Sequence, residues 1–102
     1  MTTFSKAGNI DHNKFLTVAD LYHYLDSLFD SENDSDTLFA GGYLRGFISL
    51  VATDFGDESQ LISQALVTGV SEKVNQSKTE LSPQDLVIVT NFWLKIQECV
   101  NT

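Results

Sequence analysis

The sequence predicts an all-α protein, a four-helix antiparallel bundle that forms a single domain. Apolar residues recur every three or four positions in four segments, which is the period of an amphipathic helix and not the alternation of a half-buried strand. Short polar stretches join the segments, and short connections favour antiparallel neighbours in a bundle. The chain has 102 residues, of which 42% are apolar, and this is enough for one hydrophobic core.

The first helix is predicted from about Asp11 to Ser31, within a bundle domain that covers residues 11–102. The residues before it, 1–10, are mostly small and polar, and we expect them to form a flexible tail. One face of the predicted helix collects seven apolar residues at helical spacing. They are Phe15, Val18, Leu21, Tyr22, Leu25, Leu28 and Phe29.

The second helix is predicted from about Thr37 to Thr53. An acidic stretch, residues 30–36, precedes it and should supply its N-cap, either Ser35 or Asp36. At about 100° per residue, the apolar side chains of this helix lie nearly all the way round, which is typical of a helix buried on most sides. We therefore expect it to be the central element of the bundle.

The third helix is predicted to begin after Gly56. Asp57 can serve as its N-cap, and Gln60 lies three residues later, as in a capping box. The apolar residues that follow predict a buried face, and the pattern fades by residues 77–80.

The fourth helix has the clearest start signal in the chain. Ser82 is the predicted N-cap, Pro83 takes the first helical position, and Asp85 lies near the positive end of the helix dipole. Leu81 and Leu86 have the spacing of a hydrophobic staple around this start.

The charge of the chain restricts the classes of partner. Fourteen acidic and six basic residues give a formal net charge of −8, and the basic residues are scattered along the sequence. Phosphate backbones and anionic lipids repel such a surface, so we expect no nucleic-acid partner and no membrane partner. A basic protein partner, or no specific partner at all, fits the charge better.

The cysteine content and the N-terminal sequence indicate a compartment. Cys99 is the single cysteine and cannot form an internal disulfide, as expected for a protein of a reducing environment. The first ten residues lack the apolar core of a signal peptide, and the longest apolar run is too short to span a membrane. We expect the protein to be cytoplasmic.

Three glycines lie inside the second predicted helix, where each one costs about 1 kcal/mol relative to alanine. Gly42, Gly46, Ser49 and Thr53 form one stripe of small residues on its surface. Such a stripe allows another backbone to approach closely. The main interpretation is a tight helix crossing inside the bundle, and the functional alternative is a groove for a partner helix or a small ligand.

Arg45, the single arginine, lies beside this stripe on a mostly apolar helix. A cation in that position should pair with a carboxylate or extend its head group into water. We predict an ion pair with an acidic residue of a neighbouring helix. The alternative is an anion-binding residue in a cleft.

The sequence offers no convincing metal site. The acidic stretch 30–36 alternates oxygen donors, but Ser35 stands where a calcium loop needs glycine and Gly41 where it needs glutamate. His12 and His23 lie eleven residues apart, with no cysteine or histidine at ligand spacing. We expect no metal, no cofactor and no catalytic set of residues.

Two segments resemble the YfcL family of small bacterial proteins. The first is Leu38–Gly46, and the second is Leu81–Asp85 followed by Val89 and Trp93. With the spacing between them, the resemblance covers roughly residues 36–98. It implies a short, helical, cytoplasmic bacterial protein without an established activity, so it carries over no catalytic residues.

The predicted function is therefore a non-enzymatic protein-interaction or adaptor module. One candidate surface is the Gly42–Gly46 stripe. The other is the exposed side of the fourth helix, where Val87 and Leu94 lie together and could support a homodimer or a partner helix. The alternative function is binding of a small anionic metabolite in a cleft lined by Tyr22, Tyr43, Arg45 and Trp93.

Overall fold

The computed structural model describes residues 15–30 and 32–100. Within them, all regular structure is helical, and extended backbone pairs only in two isolated bridges. The elements are α1 (Val18–Ser27), α2 (Ser35–Thr53), α3 (Gln64–Gln76), a short 3-10 helix (Ser77–Thr79) and α4 (Pro83–Gln97). The all-α prediction is confirmed, and the antiparallel order of the helices stays a prediction. The predicted tail, residues 1–10, lies outside the described residues.

Helix α1 is shorter than predicted, because a capping box sets its start. The hydroxyl of Thr17 accepts a hydrogen bond from the backbone N–H of Asp20 at 3.2 Å. The Asp20 carboxylate in turn accepts from the backbone N–H groups of Leu16 and Thr17, at 2.9 and 3.1 Å. Phe15 was predicted to be helical, but it pairs with Val100 in an isolated bridge. The predicted start at Asp11 lies outside the described residues.

Helix α2 is the central helix, as predicted, since it packs against α1, α3 and α4. The predicted N-cap was wrong by at least one residue. Asp34 is the N-cap, and its Oδ1 accepts a hydrogen bond from the backbone N–H of Thr37 at 2.9 Å. The prediction of burial on most sides was also wrong. The buried residues occupy one side only, and they are Ala40, Gly41, Leu44, Ile48, Val51 and Ala52.

Helix α3 begins at Gln64 with Ser63 as its N-cap, and the predicted start after Gly56 was wrong. The reason is a long-range contact. The carbonyl groups of Glu58 and Gln60 accept hydrogen bonds from Ala19 and Val18, whose N–H groups have no partner within the first turn of α1. The backbone around these carbonyls therefore forms a non-helical turn that serves as a cap for another helix.

Asp57 and Gln60 do form hydrogen bonds, but they stabilise the loop and not a helix. The carboxylate of Asp57 accepts from the backbone N–H of Ser59 at 2.9 Å. The Gln60 side-chain amide donates to the carbonyl groups of Ala52 and Asp57, at 3.0 and 2.8 Å. The loop is thereby attached to the C-terminal end of α2.

Helix α4 starts as predicted. Ser82 is the N-cap, its hydroxyl accepts a hydrogen bond from the backbone N–H of Asp85 at 3.1 Å, and Pro83 is the first helical residue. The buried side of α4 carries Val89, Trp93 and Ile96. These residues join one hydrophobic core that all four helices share.

Two glycines make the close helix contacts of this core. A methyl group at Gly69 of α3 would lie 2.7 Å from Cγ1 of Val51 in α2. A methyl group at Gly41 of α2 would lie 2.9 Å from Cδ1 of Leu28, which follows α1. The tight packing that the sequence placed at Gly42 and Gly46 therefore occurs at other positions.

Candidate functional site

The side of α2 that faces away from the core forms a shallow open groove. We call it the α2 groove. It is lined by Gly42, Tyr43, Arg45, Gly46, Phe47, Ser49 and Leu50. It contains every candidate residue that the sequence placed on α2 except Thr53, the last residue of the predicted stripe. The interpretation of the glycine stripe as a helix crossing inside the bundle was wrong, because none of the helices in the described part of the chain covers Gly42 and Gly46, which are exposed.

Gly42 and Gly46 form the floor of the groove, and both are exposed. Among residues 15–30 and 32–100, a methyl group at Gly46 would meet no atom within 4 Å, and one at Gly42 would meet only the ring of Phe29, at 4.0 Å. Packing against the described residues therefore does not require glycine at either position. What the two glycines provide is an open strip of helix backbone.

One wall of the groove is a row of three aromatic rings on α2. Phe39, Tyr43 and Phe47 are four residues apart, and neighbouring ring centroids lie 5.3 Å apart. The Tyr43 hydroxyl donates a hydrogen bond to Oε1 of Glu80, at 3.2 Å. Partial removal from water and the Glu80 carboxylate raise the pKa of Tyr43 above its ordinary value. The hydrogen bond from Tyr43 to Glu80 thus connects the aromatic row to the turn before α4.

The other wall joins α2 to α1. Arg45 Nε lies 2.7 Å from Oδ1 of Asp26, which confirms the predicted ion pair with a neighbouring helix. The guanidinium also lies over the ring of Tyr22, 4.4 Å from its centroid. The two contacts hold the Arg45 side chain along the edge of the groove.

Large apolar side chains are exposed near both ends of the groove. Leu50 is 61% exposed and lies towards the C-terminal end of α2. Phe29 is 55% exposed and lies beside Gly42. The groove thus has an apolar surface that the described residues leave open to water.

Sequence reasoning missed Phe29, Phe47 and Leu50 as parts of this surface. A signal was present for one of them, because Phe39, Tyr43 and Phe47 follow at four-residue intervals and must share a side of the helix. The outward position of Phe29 depends on where the turn after α1 leads, which no local pattern gives.

The remaining predicted site residues lie elsewhere. Trp93 is buried in the core, where its indole N–H donates to the hydroxyl of Ser71 at 2.8 Å. It is therefore not part of a cleft with Tyr43 and Arg45. Val87 and Leu94 are 56% and 51% exposed, as predicted, but they lie on α4 and do not line the α2 groove.

The described part of the chain holds no group of three or more histidine, cysteine or acidic side chains that could bind a metal ion. Asp34, one of the candidate calcium ligands, is occupied as the N-cap of α2. His12 lies outside the described residues. None of the helices in residues 15–30 and 32–100 is long and apolar enough to span a bilayer.

The fold and the groove together define the class of protein. It is a small helical protein in which the described residues leave one side of the central helix, α2, open to water. The family model of the YfcL protein matches residues 16–98, and the chain belongs to the YfcL family. The uncharacterized protein YfcL of Escherichia coli (strain K12) is 37% identical over 71 residues, which are 68% of this chain and 76% of that protein. No solved structure matches the chain. Neither name states an activity.

Proposed function

We propose that this protein is a non-enzymatic protein-interaction module that binds its partner through the α2 groove. The observation that carries the proposal is the open, glycine-floored strip of α2, which lies between the aromatic row on one side and Arg45 with Tyr22 on the other. An exposed apolar surface of this kind on a small protein is typical of an interaction site.

The energetics of the floor support a role in binding. Glycine inside a helix costs about 1 kcal/mol relative to alanine, so Gly42 and Gly46 together cost about 2 kcal/mol. Close packing against Leu28 offsets the cost at Gly41, whereas the described residues make no comparably close contact at the two floor glycines. A partner that packs against the bare helix backbone would supply the missing contact.

The side chains of the groove are suited to contact and not to a reaction. Its polar groups are the Tyr43 hydroxyl, the Arg45 guanidinium and the Ser49 hydroxyl. The first two already have carboxylate partners, Glu80 and Asp26. A nucleophile beside a general base, which most hydrolytic or transfer reactions need, is not among these groups.

The alternative, binding of a small anionic metabolite, has less support. The guanidinium of Arg45 is the cation it would use, and that cation is paired with Asp26. Trp93, the fourth residue of the hypothetical cleft, is in the core. The groove is also shallow, whereas small-ligand sites enclose most of the ligand surface.

The test is a quantitative pull-down from a bacterial lysate with tagged wild-type protein and two matched variants. Gly46→Leu fills the floor of the groove at a position where an added methyl group would meet none of the described residues within 4 Å, so the fold should persist. Thr68→Leu adds the same side chain at an exposed position of α3 and is the control. Circular dichroism confirms that both variants are folded.

The proposal predicts a partner that wild type and Thr68→Leu retain and Gly46→Leu loses. Equal recovery by all three proteins would refute the groove as the binding surface. A third variant, Leu94→Glu, examines the exposed side of α4. A partner that only the Leu94→Glu variant loses would identify the Val87 and Leu94 side of α4 as the binding surface.

A further inference from the structure

We draw no further inference here: the strongest candidate, the cavity of about 200 Å³ between the first turn of α2 and α4, has the exposed residues Asp36, Asn91 and Lys95 around a small apolar floor, and none of the described residues places a buried polar side chain in it that would show what it binds.

Discussion

A methyl group on Gly69 would lie 2.7 Å from Cγ1 of Val51, a distance that no stable packing of two carbon atoms allows. Helices α3 and α2 therefore cross at a position where only a hydrogen fits. Val51 is held in place because it is buried, and β-branched residues in helices have one strongly preferred rotamer. The glycine that the bundle requires is thus in α3, and the glycines exposed on α2 are not needed for packing.

Gly69→Ala should destabilise the protein. Overpacking a core contact costs about 1–3 kcal/mol, and the better helix propensity of alanine returns about 1 kcal/mol of that. The net loss in the free energy of unfolding, measured by urea denaturation, should be up to about 2 kcal/mol. An unchanged or increased stability would mean that α3 shifts away from Val51 at little cost.

Gly46→Ala should have the opposite sign. Position 46 lies in the interior of α2 and is exposed, and the new methyl group would have no neighbour within 4 Å in the described part of the chain. The free energy of unfolding should rise by up to about 1 kcal/mol, from helix propensity and the reduced freedom of the unfolded chain. Urea denaturation again measures the free energy of unfolding. A loss of stability would show that the groove floor is packed by something other than solvent.

The start of α4 could be predicted from the sequence because its signals are local. Ser82, Pro83 and Asp85 are neighbours in the chain, and the contacts they make are with each other and with their own helix. The period of the apolar residues predicts the helices for the same reason. Patterns within one or two helical turns therefore predict this fold class.

The start of α3 could not be predicted, because its determinant is distant in sequence. Asp57 and Gln60 have the spacing of a helix start, but the carbonyl groups of Glu58 and Gln60 are the hydrogen-bond acceptors for the first turn of α1. A sequence window around Asp57 does not contain Val18 or Ala19. The capping-box spacing is present in the sequence, but the long-range contact with α1 prevents a helix from starting there.

The candidate site could be predicted in its residues but not in its setting. The sequence brings Gly42 and Gly46 into one stripe and places Arg45 beside it, and the structure keeps them together. Whether a helix covers the stripe depends on which sides of α2 the other three helices occupy. Because apolar side chains lie on nearly all sides of α2, its hydrophobicity alone does not indicate the side that stays open.

The ion pair between Arg45 and Asp26 should contribute little to stability. Its side chains are 41% and 54% exposed, and exposed pairs contribute about 0.2–1 kcal/mol. A double-mutant cycle with Arg45→Gln and Asp26→Asn should give a coupling energy in that range, decreasing at high salt. Urea denaturation of the four proteins provides the measurement.

Arg45→Lys separates the ion pair from the contact with Tyr22. Lysine keeps the charge but loses the planar guanidinium that lies over the ring. The melting temperature should fall slightly, and binding of a groove partner should persist.

In the double-mutant cycle of Arg45→Gln and Asp26→Asn, a coupling energy well above 1 kcal/mol would contradict the view of a weak, solvent-screened ion pair.

The capping box of α1 makes stability depend on pH. Hydrogen bonds from the backbone N–H groups of Leu16 and Thr17 hold the pKa of Asp20 below its ordinary value of 3.8. In the unfolded chain the carboxyl has that ordinary value. Its contribution is therefore complete above about pH 5 and is lost as the pH falls through the ordinary value towards the lower folded one, because the unfolded state binds the proton first.

Asp20→Asn should therefore be less stable than wild type at neutral pH, and the difference should shrink once the pH falls below about 4. Thr17→Ala is the control, because it removes the cap hydroxyl, at a cost of about 1 kcal/mol, and leaves the two backbone hydrogen bonds to Asp20 in place. Its deficit should persist at acid pH. If the deficit of Asp20→Asn also stays constant down to about pH 3, charge on Asp20 does not stabilise the start of α1, and the amide of asparagine fails there for reasons of geometry.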